Sequence, residues 1–169
     1  MNIIGGIAKG HKIFSPPNVR PTIGKVREAI FSIIDVRGKS FLDLFAGSGA
    51  VGIEALSRGA VKTVFIERSK KATDYIKRNL KKTGFEAIVI NESVFPALDK
   101  IDETFDFIFI DPPYDSELIS KTLGKIKRVL KKETVIIIET RKGTKFSYNG
   151  FEIVKTKTYG DTSLTFLKR

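Results

Sequence analysis

Residues 41–56, Phe41-Leu42-Asp43-Leu44-Phe45-Ala46-Gly47-Ser48-Gly49-Ala50-Val51-Gly52-Ile53-Glu54-Ala55-Leu56, narrow the possible folds more than any other stretch of the chain. A short apolar run breaks at glycines and resumes with apolar residues at helical spacing, the pattern of a strand, a tight turn and a helix. Glycines at such a turn let the backbone approach a bound ribose or phosphate, and the helix that follows aims unpaired N–H groups at the ligand. The stretch reads as a nucleotide-binding turn. Gly47-Ser48-Gly49-Ala50-Val51-Gly52 also satisfies the G-x-G-x-x-G dinucleotide pattern, so a nicotinamide-dependent oxidoreductase is the first rival reading.

Further along, Asp111-Pro112-Pro113-Tyr114 stands at the end of a second buried strand, Phe105 to Ile110. Other segments fill in the pattern. A helix is predicted from an N-cap at Thr22 to about Asp35, with Ile23, Val26, Ile30, Ile33 and Ile34 as its apolar stripe and Arg27 and Glu28 on the polar side. The helix after the glycine turn stops at Gly59, and Val61 to Ile66 forms a strand ending on Glu67. Ser69 caps a helix to about Lys82 whose outer surface is mostly lysine, a face that is solvated unless a partner covers it. Ala87 to Ile90 and Thr134 to Glu139 are further strands, separated by a helix from Asp115 or Ser116 to about Leu130. Phe151 to Thr158 and Ser163 to Leu167 read as a closing hairpin, and Asn2 to Gly5 with Lys12 to Phe14 as a leading arm. The strands of Ala87–Ile90 and Phe105–Ile110 are apolar throughout, as in sheets covered on both faces.

Strands alternating with helices at this spacing predict an α/β fold, a doubly wound and mostly parallel sheet of seven strands ending in an antiparallel hairpin. The predicted organisation is one domain over residues 1–169, with residues 1–38 as arm and helix and 39–169 as the core. Ligands of such sheets bind at the carboxyl ends of the strands where strand order reverses, the edge on which Asp43, the glycine turn, Glu67, the residues after Ile90 and Asp111 should converge.

Composition limits the function classes. Lys and Arg number 30 against 19 Asp and Glu, a net charge of +11 that points to a polyanionic partner. With no Cys and one His, structural zinc of the Cys/His kind is excluded and no metal is expected. No apolar run approaches the length of a membrane span and the start lacks a secretory signal, so the expected location is cytoplasmic.

Taken together, Arg20-Pro21-Thr22 followed by Val26-Arg27-Glu28 and Phe31, the Asp43-to-Gly49 turn, Asp111-Pro112-Pro113-Tyr114, the Gly5-Gly6 start and Tyr159-Gly160-Asp161-Thr162 resemble the bacterial small-subunit ribosomal RNA guanine-N2 methyltransferase family over essentially the whole chain. The resemblance implies a Rossmann-like class I methyltransferase fold, S-adenosylmethionine as cofactor, and methylation of the exocyclic N2 amine of a guanine in 16S ribosomal RNA. It implies ribosomal RNA or an assembling small subunit as partner, and a monomeric protein is expected. N6-adenine methylation of DNA or RNA is the alternative, because the same four residues serve that amine; an oxidoreductase and a non-catalytic RNA-binding assembly factor also stay open.

On this reading Phe45, Ala46, Gly47, Ser48 and Gly49 shape the cofactor turn. Asp43 either balances the cationic end of the cofactor or braces the turn, and Glu67 either accepts the ribose hydroxyls or pairs with Arg68, which is itself a cofactor-site candidate. Thr22 and the helix end it caps could hold the methionine carboxylate. By resemblance Ser93 and Val94 frame the adenine, with Ser93 standing where relatives commonly offer Asp or Asn. The catalytic candidates are Asp111, Pro112, Pro113 and Tyr114: the Asp111 carboxylate and Pro112 carbonyl can accept the two hydrogens of an aromatic amine, the prolines fix that carbonyl's direction, and Tyr114 can stack on the base. Lys9, Lys12, Arg20, Lys25 and Arg27 are candidates for gripping RNA phosphates, or are solvated loop charges.

Overall fold

In the computed structural model, the structure describes residues 1–17, 22–113 and 116–169. Five parallel strands form its centre: β1 (Ser40–Leu44), β2 (Lys62–Ile66), β3 (Ile88–Ile90), β4 (Phe105–Ile110) and β5 (Leu130–Arg141). The hairpin of β6 (Glu152–Tyr159) and β7 (Thr162–Lys168) adds two antiparallel strands, giving the seven-stranded order β3-β2-β1-β4-β5-β7-β6. Strand order reverses between β1 and β4. Register then does the positioning, because Leu44 lies beside both Ile66 and Ile110, Ile66 beside Ile90, and Ile110 beside Ile138. The next residue of each strand, Phe45, Glu67, Asn91, Asp111 and Glu139, therefore emerges along one sheet edge.

Period-two alternation divides the core between the two faces. Leu42, Leu44, Ile66, Ile108 and Ile138 pack with α4 (Val94–Lys100) and α5 (Ser116–Lys125). On the opposite face, Phe41, Phe109 and Ile137 meet α1 (Gly24–Ile33) and α2 (Ala50–Ser57), while Phe65 meets α2 and α3 (Lys70–Thr83). Both faces of β1 and β4 are thus covered, as their continuous apolar runs require. Strand β3 differs from expectation, being a three-residue edge strand with Ile88 47% exposed.

Several boundaries depart from the sequence reading for local reasons. The N-cap of α1 is Ile23, without a side-chain cap bond, because the Thr22 hydroxyl donates instead to Glu139 Oε2 at 3.1 Å. Helix α1 stops at Ile33. Helix α4 had no sequence signal; its seven residues carry Pro96 in the first turn, where a missing N–H leaves no helix bond unmade. After α5 the chain tightens into a 3₁₀ turn over Ile126–Val129 and β5 begins at Leu130, four residues earlier than expected, across a register shift opposite Phe105 to Phe107. There the Thr134 hydroxyl donates to the Phe105 carbonyl at 2.6 Å and accepts from the Lys131 N–H at 2.7 Å.

The leading arm is closed by a single antiparallel bridge, Asn2 to Lys12, and stitched onto α2 and α3 by buried polar groups. Glu54 accepts from the N–H of Ile4 at 3.0 Å and of Gly5 at 2.8 Å, and from Arg58 Nε at 2.9 Å. Ser57 Oγ accepts from the Ala8 N–H and donates to the Gly5 carbonyl. Gly6 has φ +78 and lies so close to α2 that a Cβ would overlap the Ser57 carbonyl, which is why the arm reads Gly5-Gly6 here. Arg27 belongs to this seam. It is 2% exposed, and its guanidinium donates to the Asn2 carbonyl at 2.8 Å and to Met1 Sδ, so it faces the arm rather than solvent. Its expected role on an RNA-facing surface is therefore corrected.

Candidate active site

Beyond β1 the chain enters the glycine turn through Phe45, whose φ of 61 is a left-handed conformation unusual for a bulky side chain. Such strain persists where surrounding structure holds it, and it lies here at the mouth of the main cleft. Gly47 and Gly49 follow with φ 55 and 76, and the Gly49 N–H closes the turn on the Ala46 carbonyl at 2.8 Å before α2 begins. Gly52 serves a different need: a Cβ there would overlap the Phe65 ring, so only glycine lets α2 press this closely on β2. The Ala46 N–H bonds back to the Ile66 carbonyl at 3.0 Å, pinning the turn to the tip of β2.

Two carboxylates fix this loop from either side. Asp43 is buried, and its Oδ2 accepts from the Gly52 N–H at 3.0 Å. Burial pushes the Asp43 carboxyl up to about 7; the Gly52 bond works against that rise and the charge of Glu67 adds to it. Glu67 accepts from the Gly47 N–H at 2.9 Å through one oxygen and from the Ser69 N–H at 2.8 Å through the other. Ser69 in turn caps α3 by accepting from the Ala72 N–H. Asn91, just past β3, donates to the carbonyls of Glu67 and Arg68 at 3.1 and 2.9 Å, so the tips of β2 and β3 are tied together. The pairing of Glu67 with Arg68 considered from sequence is not what this carboxylate does; it orders the backbone of the turn.

One cleft of about 780 Å³ runs along this edge. Its first half is walled by Asp43, Phe45, Ala46, Gly47 and Ser48, with Glu67 and Arg68 at the tip of β2 and Ser93 and Val94 at the start of α4. Asp111, Pro112 and Pro113 line the second half with Thr22, so all of these candidates meet in a single cavity. Gly49 acts one step back, as the left-handed residue before α2, and is not among the lining residues. Tyr114 and Arg20 lie outside the described residues. Lys9, Lys12 and Lys25 are exposed but do not line the cleft.

Sequence reasoning missed the far wall, formed by Glu139, Thr140, Arg141, Thr144 and Thr162 with Ile23 and Leu118. A usable signal existed: the apolar run of β5 gives way to Glu139 just as β2 gives way to Glu67 and β4 to Asp111. The cavity thus has an acidic residue at three strand tips, Glu67, Asp111 and Glu139, and a fourth, Asp43, buried within β1. Such a cleft suits a cationic, hydroxylated ligand beside a planar group that donates hydrogen bonds.

Comparison with known proteins agrees with the fold. Residues 1–168 match the family model described as Conserved hypothetical protein 95. Ribosomal RNA small subunit methyltransferase D of Buchnera aphidicola subsp. Acyrthosiphon pisum is 38% identical over 148 residues, covering 83% of this chain and 78% of that protein. The putative rRNA methyltransferase YlbH of Bacillus subtilis is 35% identical and covers 100% of this chain and 99% of that one. Among solved structures, the putative methyltransferase yhhF from Escherichia coli superposes with a TM-score of 0.89 at 28% identity, over 100% of this chain and 97% of that one. With this fold, this cleft and these relatives, the chain belongs to the Conserved hypothetical protein 95 family, alongside proteins named ribosomal RNA small subunit methyltransferase D.

Proposed function

We propose that the protein methylates the exocyclic N2 amine of a guanine in small-subunit ribosomal RNA, with S-adenosylmethionine as methyl donor. The observation that carries this reading is that the glycine turn and the Asp111-Pro112-Pro113 tip, more than sixty residues apart in sequence, wall the same cavity. The kinship with proteins named for ribosomal RNA methylation supports the choice of substrate.

The residues present fit the cofactor. Glu67 at the tip of β2 offers acceptor oxygens to a vicinal diol, and the glycine turn leaves room beside it. Asp43 stands at the place for the cationic part of the amino-acid group, and Thr22 with the N-terminal end of α1 at the place for its carboxylate, while Ser93 and Val94 border the place for a purine. S-adenosylmethionine, when bound, supplies an electrophilic methyl group. An exocyclic amine is a weak nucleophile because its lone pair is delocalised into the ring. The Asp111 carboxylate and the Pro112 carbonyl can accept both amine hydrogens, localising the lone pair, and Asp111 is placed to take up the proton that the nitrogen sheds on alkylation. Orientation supplies the rest, with a ceiling of about 7 to 11 kcal/mol for well-aligned reactants. A base in a duplex cannot reach the cavity, so the target nucleotide is unpaired or flipped, at a cost of a few kcal/mol.

Methyl-tritiated S-adenosylmethionine incubated with the protein and 16S ribosomal RNA or small subunits tests the reading. Label should enter the RNA with wild-type protein and stay out with Asp111→Ala, which should still bind cofactor. Absence of transfer by wild-type protein to both substrates would reject the proposed activity.

A further inference from the structure

Helix α3 carries a basic stripe that the cleft does not use. Lys71, Arg78 and Lys82 fall at helical spacings of seven and eleven, on one exposed face with half-buried Tyr75 between them. On the adjoining arm, Phe14 gathers the same charges: Arg78 Cζ and Lys82 Nζ each lie 4.5 Å from its ring centroid, and Lys12 Nζ lies 6.0 Å away. Phe14 itself is held rigidly. Its N–H donates to Asn79 Oδ1 and its carbonyl accepts from Asn79 Nδ2, both at 2.8 Å.

Charge pairing separates this face from the opposite flank. Around α4 and α5 four cations are matched, Lys100 with Glu92, Lys125 with Asp99, Arg128 with Asp102 and Lys131 with Asp106, all within 2.9 Å. On α3, among the described residues, only Lys70 has an ion-pair partner, Asp74, while Lys71, Lys77, Arg78, Lys81 and Lys82 have none. Three cations drawn to one ring without a carboxylate repel one another, and an anion placed among them removes that repulsion. From Lys71 to Lys82 the stripe runs about 16 Å at 1.5 Å per residue, a length matched to several successive phosphates rather than to one small anion.

The stripe is also tied to the cleft. Ser69, which caps α3, lines the cavity, and Asn79 Nδ2 donates at 3.2 Å to the carbonyl of Ser48 in the glycine turn. We infer that Lys12, Arg78 and Lys82, gathered around Phe14, together with Lys71 on the same face of α3, form a phosphodiester-binding surface that holds the RNA strand flanking the target nucleotide. This assignment rests on the RNA-methyltransferase reading of the cleft; of the sequence candidates it keeps Lys12 on the arm, and it adds the face of α3, which the sequence alone left as a solvated lysine face.

The test compares R78Q/K82Q with K155Q/K157Q, an equal loss of charge on exposed residues of edge strand β6. Binding to 16S ribosomal RNA, protein-free and within purified small subunits, is followed over a range of salt concentrations. Each phosphate contact contributes about 0.7 to 0.9 to the slope of log K against log salt, so R78Q/K82Q should flatten it by roughly 1.5 and the control by nothing. Affinity of R78Q/K82Q should fall by about tenfold or more at near-physiological salt, KM for RNA should rise, and kcat at saturating RNA and cofactor affinity should stay at wild-type values. Should R78Q/K82Q fail to fold, K71Q, which touches no ring, carries the same test with a slope change of about 0.7 to 0.9. Flattening on either RNA substrate supports the surface; slopes parallel to wild type on both, or equal losses in the β6 control, overturn it. Wild-type protein that binds RNA through this stripe yet methylates nothing would reject the catalytic reading and leave the surface standing.

Discussion

Replacing Asp43 with Asn separates what this buried carboxylate does for the fold from what it does for a ligand. Burial raises its carboxyl from an ordinary 3.8 to about 7, with the Gly52 bond opposing and Glu67 reinforcing the rise. Between those two values the folded protein retains a proton that the unfolded chain releases. Its contribution is therefore fully present below about pH 4 and declines as pH rises to about 7, beyond which the loss is complete. At 1.36 kcal/mol per pH unit that decline is roughly 4 kcal/mol at most. Asn has the same shape, keeps an oxygen for the Gly52 N–H and carries no charge at any of these values. Urea unfolding of both proteins at steps from about pH 4.5 to about pH 8.5 should show D43N gaining on wild type by about 2 to 4 kcal/mol across the range. The difference between the two proteins cancels every other titrating group. Cofactor affinity at the alkaline end should move the opposite way and weaken, since the stabilised variant lacks the charge facing a cationic ligand, a trade-off common at strained functional sites. Stability curves that stay parallel over the whole range would refute the reasoning.

Glu54→Ala removes the buried acceptor shared by the N–H groups of Ile4 and Gly5 and the partly exposed Arg58 guanidinium, which should lower stability by about 3 kcal/mol in urea titrations and free the arm to exchange its amide hydrogens. Burial alone would raise the Asp106 carboxyl, but Lys131 and the N–H and hydroxyl of Ser40, each at 2.8 Å, hold it down at about 2. Because that folded value is depressed, its stabilisation is present above about pH 4 and fades as pH falls through about 2. Asp106→Asn should therefore be about 1 to 2 kcal/mol less stable than wild type at neutral pH, a figure reduced for partial exposure, and nearly equal to it in strong acid.

The edge that lines the cleft was legible because the information that builds it is local. Apolar runs end on Glu67 and Asp111, and parallel register carries those ends to one line without further instruction; Glu139 ends the apolar run of β5 in the same way, a signal the sequence reading did not use. What escaped was set by partners distant in sequence. Thr22 looks like a helix cap until Glu139, 117 residues away, takes its hydroxyl. Arg27 sits on the polar side of a helical wheel, and nothing in the periodicity of α1 shows that the arm of residues 1–17 will cover that side. Helix α4 was too short, and β5 too charged over Lys131-Lys132-Glu133, for a period to register. The wall of Thr140, Arg141, Thr144 and Thr162 is assembled from β5, the loop after it and β7, and acquires meaning only when the hairpin folds back beside the cleft.

Small subunits from cells lacking this protein, incubated with it and S-adenosylmethionine and then digested to nucleosides, give the most direct measure of what the shared cavity does. N2-methylguanosine should appear with wild-type protein and vanish with Asp111→Ala while calorimetry still shows cofactor bound to the variant. N6-methyladenosine in its place, or methylated guanosine formed undiminished by Asp111→Ala, would contradict the assignment of the strand-four tip as the amine clamp.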